Sequence, residues 1–389
     1  MLAKTETAKR LVTYALLLLL LLNLMAACAP DAINTAINQD QHAGSSSTEG
    51  PFTEYALPQP HSGLMRPVVD LQGHIWFGEM GRNALTMFDP QTHQFQQFPL
   101  PNANAGIMGI VVAPDNTIWF AEQSANTIGH YIPTTQHFQN YSLPTVAIPD
   151  PDHTDSTITL PSAPNDLAID AQGNIWFTQM NSDQVGKLNP QTGQIKLYQL
   201  GDTPSVQKIS PYGITVDQQD NIWFTEATSN TLGKIDPDVG KIQRFTYQGA
   251  NSPLMEITSD NQGNIWGTTF HLPHLVKFDI QKETFTLYTP SNTPGGSYDL
   301  AIAEDHKIWI TLTEQNQLAR FDTTTNSFTS YQIPTAGSSP FGIATDAHGT
   351  LWITEAVGNK LASFKPSAQR KKEASALTAA TAPSLSFKS

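Results

Sequence analysis

The chain has 389 residues, of which 39% are apolar and only 14% are Asp, Glu, Lys or Arg, with a formal net charge of −13. That is the composition of a folded β-rich protein rather than of a charged helical or disordered one. The acidic balance leaves no basic stripe to neutralise phosphates, which excludes nucleic acid as a partner. A single cysteine rules out any intrachain disulfide, so a hydrophobic core must hold the fold.

Lys4, Lys9 and Arg10 precede an apolar run from Leu11 to Met25 that is short for a bilayer span. The run ends in Leu24-Met25-Ala26-Ala27-Cys28, small residues directly ahead of the lone cysteine. This resembles the lipobox of bacterial lipoproteins, with Met25 where Leu is more usual. The resemblance implies that residues 1–27 are a signal peptide and that Cys28 is acylated. The mature chain would then be held by its lipid on the outer face of a bacterial membrane, at the cell surface or in the periplasm. An ordinary cleaved signal or a short anchor helix is the competing reading. Residues 28–50 are polar and rich in Ala, Asn, Gln and Ser, as a flexible tether should be.

From residue 51 the chain is an internal repeat. All seven tryptophans, Trp76, Trp119, Trp176, Trp223, Trp266, Trp309 and Trp352, occupy the same place in it, at spacings of 43, 57, 47, 43, 43 and 43. A period in the low forties predicts propeller blades, each a four-stranded antiparallel sheet. Blade four shows the unit: Pro211 to Asp217, Asn221 to Glu226, Thr231 to Pro237 and Ile242 to Tyr247, four short apolar stretches bounded by turn residues. One outer-strand copy, Phe52-Thr-Glu-Tyr55-Ala-Leu57-Pro58, stands before the first Trp strand, and none follows Lys360-Leu-Ala-Ser-Phe364. The offset predicts that the first strand completes the seventh blade, which closes the ring and removes its free edges. Residues 51–365 therefore read as one closed seven-bladed β-propeller, all-β and monomeric. The Trp side chains read as packing between blades. The segment 366–389, rich in Ala, Ser and Thr with a basic knot at Arg370-Lys371-Lys372, reads as a disordered tail.

The unit Pro-x-Gly-Ile…Asp…Gly-Asn-Ile-Trp-Phe-Thr-Glu…Asn-x-Leu-Gly-Lys-Ile resembles the streptogramin B lyase (virginiamycin B lyase) family over roughly residues 52–365, most closely in blades two, four and seven. The resemblance implies a seven-bladed propeller with its active site at the mouth of the central channel. It also implies a metal-assisted elimination that opens the ester ring of a cyclic depsipeptide antibiotic. In that family a catalytic His follows the Pro that starts an inner strand, and two Glu hold Mg²⁺. The matching position here, eleven residues before each Trp, reads Met65, Met108, Asn165, Tyr212, Met255, Tyr298 and Phe341. Two residues ahead stand Gly63, Gly106, Ala163, Ser210, Pro253, Gly296 and Ser339, and four after each Trp stand Met80, Gln123, Met180, Ala227, Phe270, Thr313 and Ala356. The lyase constellation is thus expected to be missing.

Several candidates remain. The seven large residues at the mouth form a ring that either grips a flat or greasy ligand by stacking or plugs a narrow channel. The residue just after the mouth position, commonly Gly, is Asp166 in blade three, Glu256 in blade five and Asp299 in blade six. With His271 from the irregular turn of blade five, these acids are a candidate site for a divalent cation, Mg²⁺ or Ca²⁺. Solvated or turn-bonded acids are the alternative. The recurring Glu79, Glu122, Glu226 and Glu355, three residues after Trp, read as acceptors for backbone N–H groups in the following turn. The insertion around Thr145–Leu160 reads as a surface loop or a lid overhanging the mouth. Two functions are therefore carried forward. One is a lipid-anchored propeller that binds a small molecule, glycan or protein at the channel mouth. The other is a metal-dependent lyase or lactone-acting hydrolase with a rearranged site.

Overall fold

The computed structural model describes residues 51–149, 156–201, 209–247, 252–290, 295–303 and 306–366. The expected signal peptide, Cys28, the tether and the tail from residue 367 lie outside the described residues. Seven four-stranded antiparallel sheets form a seven-bladed propeller, each running from an inner strand to an outer one. Blade one comprises Leu64–Val69, Ile75–Glu79, Ala84–Asp89 and Gln94–Pro99. In blade seven, three strands come from the C-terminal end of the described chain and the fourth is Phe52–Ala56, paired from Phe52 opposite Phe364 to Ala56 opposite Lys360. The offset in the repeat is thus resolved as a ring closed by its first strand.

Burial follows from where each strand sits. The second strand of every blade has neighbouring strands on both edges and neighbouring blades on both faces. It is buried along its whole length, and its apolar run, Ile-Trp-Phe in blades one to four, is accordingly continuous rather than alternating. Outer strands such as Gln94–Pro99 face water on one side and alternate exposed with half-buried residues.

The Trp side chains are 0–3% exposed and pack between blades. Five of them donate the indole N–H to the Asp six residues earlier, at 2.7–3.0 Å: Asp70, Asp170, Asp217, Asp260 and Asp346. Each of these Asp also accepts backbone N–H groups in the turn between the first two strands, as Asp217 does from Gln219 and Asn221 at 2.9 Å. One carboxylate therefore caps a tight turn and anchors the largest side chain beside it.

The turn between second and third strands carries a residue with positive φ, commonly Asn: Asn83, Asn126, Asn316 and Asn359, with Asp183 in blade three. Their side-chain oxygens accept N–H groups of the next blade, from Ala105, Ser162, Ser338, Ser62 and Ser210 at 2.7–2.9 Å. Asn tolerates the left-handed conformation and supplies the acceptor, so it both turns the chain and staples blade to blade. The recurring glutamates are structural by a different route from the one expected. Glu79 takes the hydroxyl of Thr86 and the Gln97 amide at 2.8 Å, while Glu226 pairs with Arg244 at 2.6 Å. Their partners stand on third and outer strands rather than in turn backbone.

The insertion between blades two and three forms a two-stranded hairpin, Val146–Pro149 against Thr157–Leu160. Its tip, residues 150–155, lies outside the described residues. No described helix is long and apolar enough to cross a membrane.

Candidate functional site at the channel mouth

The inner strand of six of the seven blades is bulged where it meets the channel; in blade six Tyr298 and Asp299 stand at the same place just ahead of the shorter inner strand Leu300–Ile302. In blade one Leu64 pairs with Glu79 and Pro67 with Phe77, so Met65 and Arg66 together oppose a single residue, Gly78. The same shift recurs in blades two, three, four, five and seven. A bulge bends the strand and re-aims its side chains, which here presents two consecutive residues to the ring interior. In blades three to six a Thr two residues after the Trp supports the bulge and bridges to the next blade. Thr178, Thr225, Thr268 and Thr311 accept the bulge N–H of Asp166, Gly213, Glu256 and Asp299 at 2.9–3.3 Å. Each hydroxyl then donates at 2.6–2.9 Å to the carbonyl of the next blade's mouth residue, Tyr212, Met255, Tyr298 or Phe341.

The first bulge residues are the seven read from the repeat, and the structure brings all of them together. Met65, Met108, Asn165, Tyr212, Met255, Tyr298 and Phe341 are between 1% and 9% exposed. The six apolar and aromatic members pack as one cluster. The Tyr212 and Tyr298 hydroxyls are 2.7 Å apart, and the Tyr298 and Phe341 rings are 3.7 Å apart between centroids. Asn165 donates to the Tyr212 carbonyl at 3.3 Å and accepts from the Gln123 amide at 3.2 Å. Burial holds the Tyr212 phenol well above its ordinary range, so it does not serve as a base. Of the two readings of this ring, the geometry is that of a packed plug.

The second bulge residues form a polar layer next to the plug. The three acids Asp166, Glu256 and Asp299 do converge, but on the guanidinium of Arg66. Its Nη1 lies 2.7 Å from Asp166 and 2.8 Å from Glu256, and its Nε lies 3.3 Å from Asp299. Asp166 and Asp299 also accept the backbone N–H of Ile214 and Ile343, each on the next blade, at 3.1 and 3.0 Å. The blades between are glycine at this position because the neighbour leaves no room. A Cβ on Gly213 would stand 2.5 Å from the Met255 carbonyl, and one on Gly342 would stand 2.6 Å from the Arg66 Cα.

Burial opposes the charge on Arg66, and the three carboxylates more than reverse that, holding it firmly protonated. For Glu256 burial dominates, reinforced by the nearby Asp166 and Asp299, and its pKa is pushed well up; Asp299 is raised chiefly by burial as well. The cation expected from Asp166, Glu256, Asp299 and His271 is therefore met by a side chain of the protein itself. His271 is not in the cluster. It sits exposed on the turn at the rim, its ring 4.6 Å from that of Phe270. Among the described residues, no group of three or more His, Cys, Asp and Glu is arranged to hold a metal ion.

Arg66 was not singled out by sequence reasoning, although one signal pointed to it. It is the lone cation at a ring position otherwise filled by glycine or an acid. What stays accessible above the plug is a shallow floor of half-buried Met80, Phe270 and Ala356, with Gln123, Thr313 and His271 as its polar groups. Leu272 and Val357 stand on turns at the rim, 37% and 50% exposed.

Known proteins share this architecture. The pattern of the virginiamycin B lyase family matches residues 21–252 and again 152–382. The chain belongs to that family. A solved streptogramin B lyase is similar to this family member at 26% identity and a TM-score of 0.70, over 81% of this chain and 97% of that one. A virginiamycin B lyase from Staphylococcus aureus, solved as a catalytically inactive variant with quinupristin, shares the fold at 23% identity and a TM-score of 0.70, over 80% of this chain and 98% of its own. No curated protein sequence matches the chain.

Proposed function

We propose that this chain is an exported, lipid-anchored member of the virginiamycin B lyase family that binds a ligand or partner at the channel mouth without performing the lyase reaction. The observation that carries this reading is the plug. The positions where the family resemblance calls for a catalytic His hold side chains 1–9% exposed that pack against each other. The acids one residue further in are committed to Arg66. A general base must reach the proton it takes, and a metal needs free oxygen ligands. Neither is offered by this layer. The apolar floor with Gln123, Thr313 and His271 instead suits a small molecule, glycan or protein that contacts the rim.

The test is incubation of the purified protein with quinupristin, with and without Mg²⁺. Mass spectrometry reads ring opening and calorimetry reads binding. The expected outcome is an unopened depsipeptide under both conditions. Catalytic ring opening that depends on Mg²⁺ and is lost in His271→Ala would overturn the reading and establish a metal-dependent lyase with a rearranged site. Opening of simpler lactones in the same assay would establish a lactone-acting hydrolase. Anchoring rests on Leu24-Met25-Ala26-Ala27-Cys28. Cells expressing the chain should incorporate a labelled fatty acid into it, and Cys28→Ala should abolish the label and release the protein from the membrane fraction.

A further inference from the structure

We propose that the groove between blades one and two, on the face opposite the channel mouth, binds a neutral saccharide. The groove encloses about 420 Å³, within the range of small-molecule sites. Its wall departs from the repeat at one position. The residue paired with the Trp on the third strand is Lys187, Lys234, Lys277 or Arg320 in blades three to six, each lying over its indole at 5.0–6.0 Å. In blade two, His130 stacks on Trp119 at 3.9 Å. Blade one places Met87 opposite Trp76, a shorter and uncharged side chain. Grooves lined by these lysines vary in size, about 130 Å³ beside Lys277 and about 520 Å³ beside Lys187, so what sets the blade-one groove apart is its uncharged wall rather than its volume. Blade seven also has a small residue, Ser363, opposite its Trp, but there the Tyr55 ring lies 6.0 Å from Trp352, with the His93 ring tilted against it at 5.2 Å.

The chemistry of the walls selects the ligand class. Half-buried Met87 and Phe98 offer an apolar surface, backed by the buried Trp76 and Tyr131 rings, with Phe98 stacked 5.6 Å from Trp76. Around that surface stand hydrogen-bonding groups that meet no partner among the described residues: the Gln96 and Gln136 amides, one Asp115 oxygen and the second ring nitrogen of His74. The rim is held in place across the blade boundary, because Asn116 accepts the Leu71 N–H at 2.8 Å and donates to Gln72 at 2.5 Å. Planar amides and a carboxylate can each engage neighbouring hydroxyls, while the C–H face of a sugar ring rests on an apolar or aromatic surface. No Lys or Arg lines the groove, so phosphates and acidic sugars lack a counter-charge there, and Asp115 repels them.

The experiment titrates the full chain with maltose, cellobiose and N,N′-diacetylchitobiose, reading saturation-transfer NMR and calorimetry. At least one should bind saturably with a Kd of about 1 mM or tighter. Met87→Lys, which installs the side chain found at this position in blades three to five, should weaken that binding at least about tenfold. The same variant should leave the thermal midpoint within a degree or two of the wild type. Gln96→Ala, at an exposed position, should weaken binding severalfold with the fold intact. If none of the sugars saturates, or if Met87→Lys binds as tightly as wild type, the groove is not the site and the proposal fails. The mouth is untouched by either variant, so this failure is separate from any failure of the mouth-binding reading.

Discussion

The layer between the blades and the layer across the channel are built from the same repeat but by opposite rules. Between blades, one solution is copied round the ring: five Trp–Asp pairs, four Thr bridges and a positive-φ Asn or Asp in most turns. Apart from the closing seam, where Asn359 takes the Ser62 N–H, these contacts lie within a blade or between blades consecutive in the chain, so each unit carries its own partners. Across the channel the repeat is broken. Arg66, Asp166, Glu256 and Asp299 come from blades one, three, five and six and meet only once the circle is complete. Copied contacts stabilise each blade against the next, whereas the unique ones tie non-adjacent blades together.

Arg66→Met tests that contrast most severely. It leaves three buried carboxyl groups facing one another without a counter-charge, and breaking a buried ion pair from one side costs about 3–5 kcal/mol. Urea unfolding should show that loss near neutral pH, and acid should restore much of it by neutralising the carboxyls. A loss under about 1 kcal/mol would mean that the cross-channel layer carries no special weight. In the copied layer, Asp217→Ala strands the Trp223 indole and the turn N–H groups, for a loss of about 1–3 kcal/mol. Asp260→Ala, in the same place of the next blade, should cost a similar amount, and a large inequality between the two would break the idea of interchangeable units.

The seam sharpens the comparison through pH. Glu355 is fully buried in blade seven, and burial, reinforced by the neighbouring Glu54, pushes its carboxyl up to about 8 from an ordinary 4.5. The folded form thus holds a proton that the unfolded form gives up. Its stability contribution is complete below about pH 4.5 and is lost as pH rises through about 8. Glu355→Gln should flatten that part of the stability–pH curve, read as thermal midpoint against pH, and an unchanged slope would remove Glu355 from the explanation. His130 tilts the acid side the other way. Burial lowers it to about 4 from 6.5, so stability falls as pH drops from 6.5 towards 4 and His130→Phe should abolish that fall. The smallest effect is expected from Tyr212→Phe, which removes the hydroxyl contact with Tyr298 from the plug at about 1 kcal/mol.

The same contrast explains what could be read from the residues alone. Blade number, strand order and ring closure were legible because they are repeated. Seven Trp and one displaced outer strand, Phe52 to Pro58, suffice to count and close the ring. The mouth residues were legible as a set because each sits at a constant distance from its Trp. Whether they were open or sealed was not, since burial of Tyr212 and Phe341 depends on residues of other blades reaching the same axis. Asp166, Glu256 and Asp299 stood out as departures from glycine, and their convergence is real. Their partner was missed because a search for metal ligands passes over an arginine. The turn carrying His271 departs from the repeat just as visibly, yet it projects to the rim, which no linear spacing records.

The pairing of the first strand with the last has a consequence for how the molecule comes into being. Phe52 cannot find Phe364 until the final blade has been synthesised, so the ring stays an open arc through most of translation. A chain cut short before residue 360 should remain an arc, with a bare sheet edge at its end. Force applied at the N-terminal end would bear first on these five residues, and the circle would give way there before any other blade is disturbed.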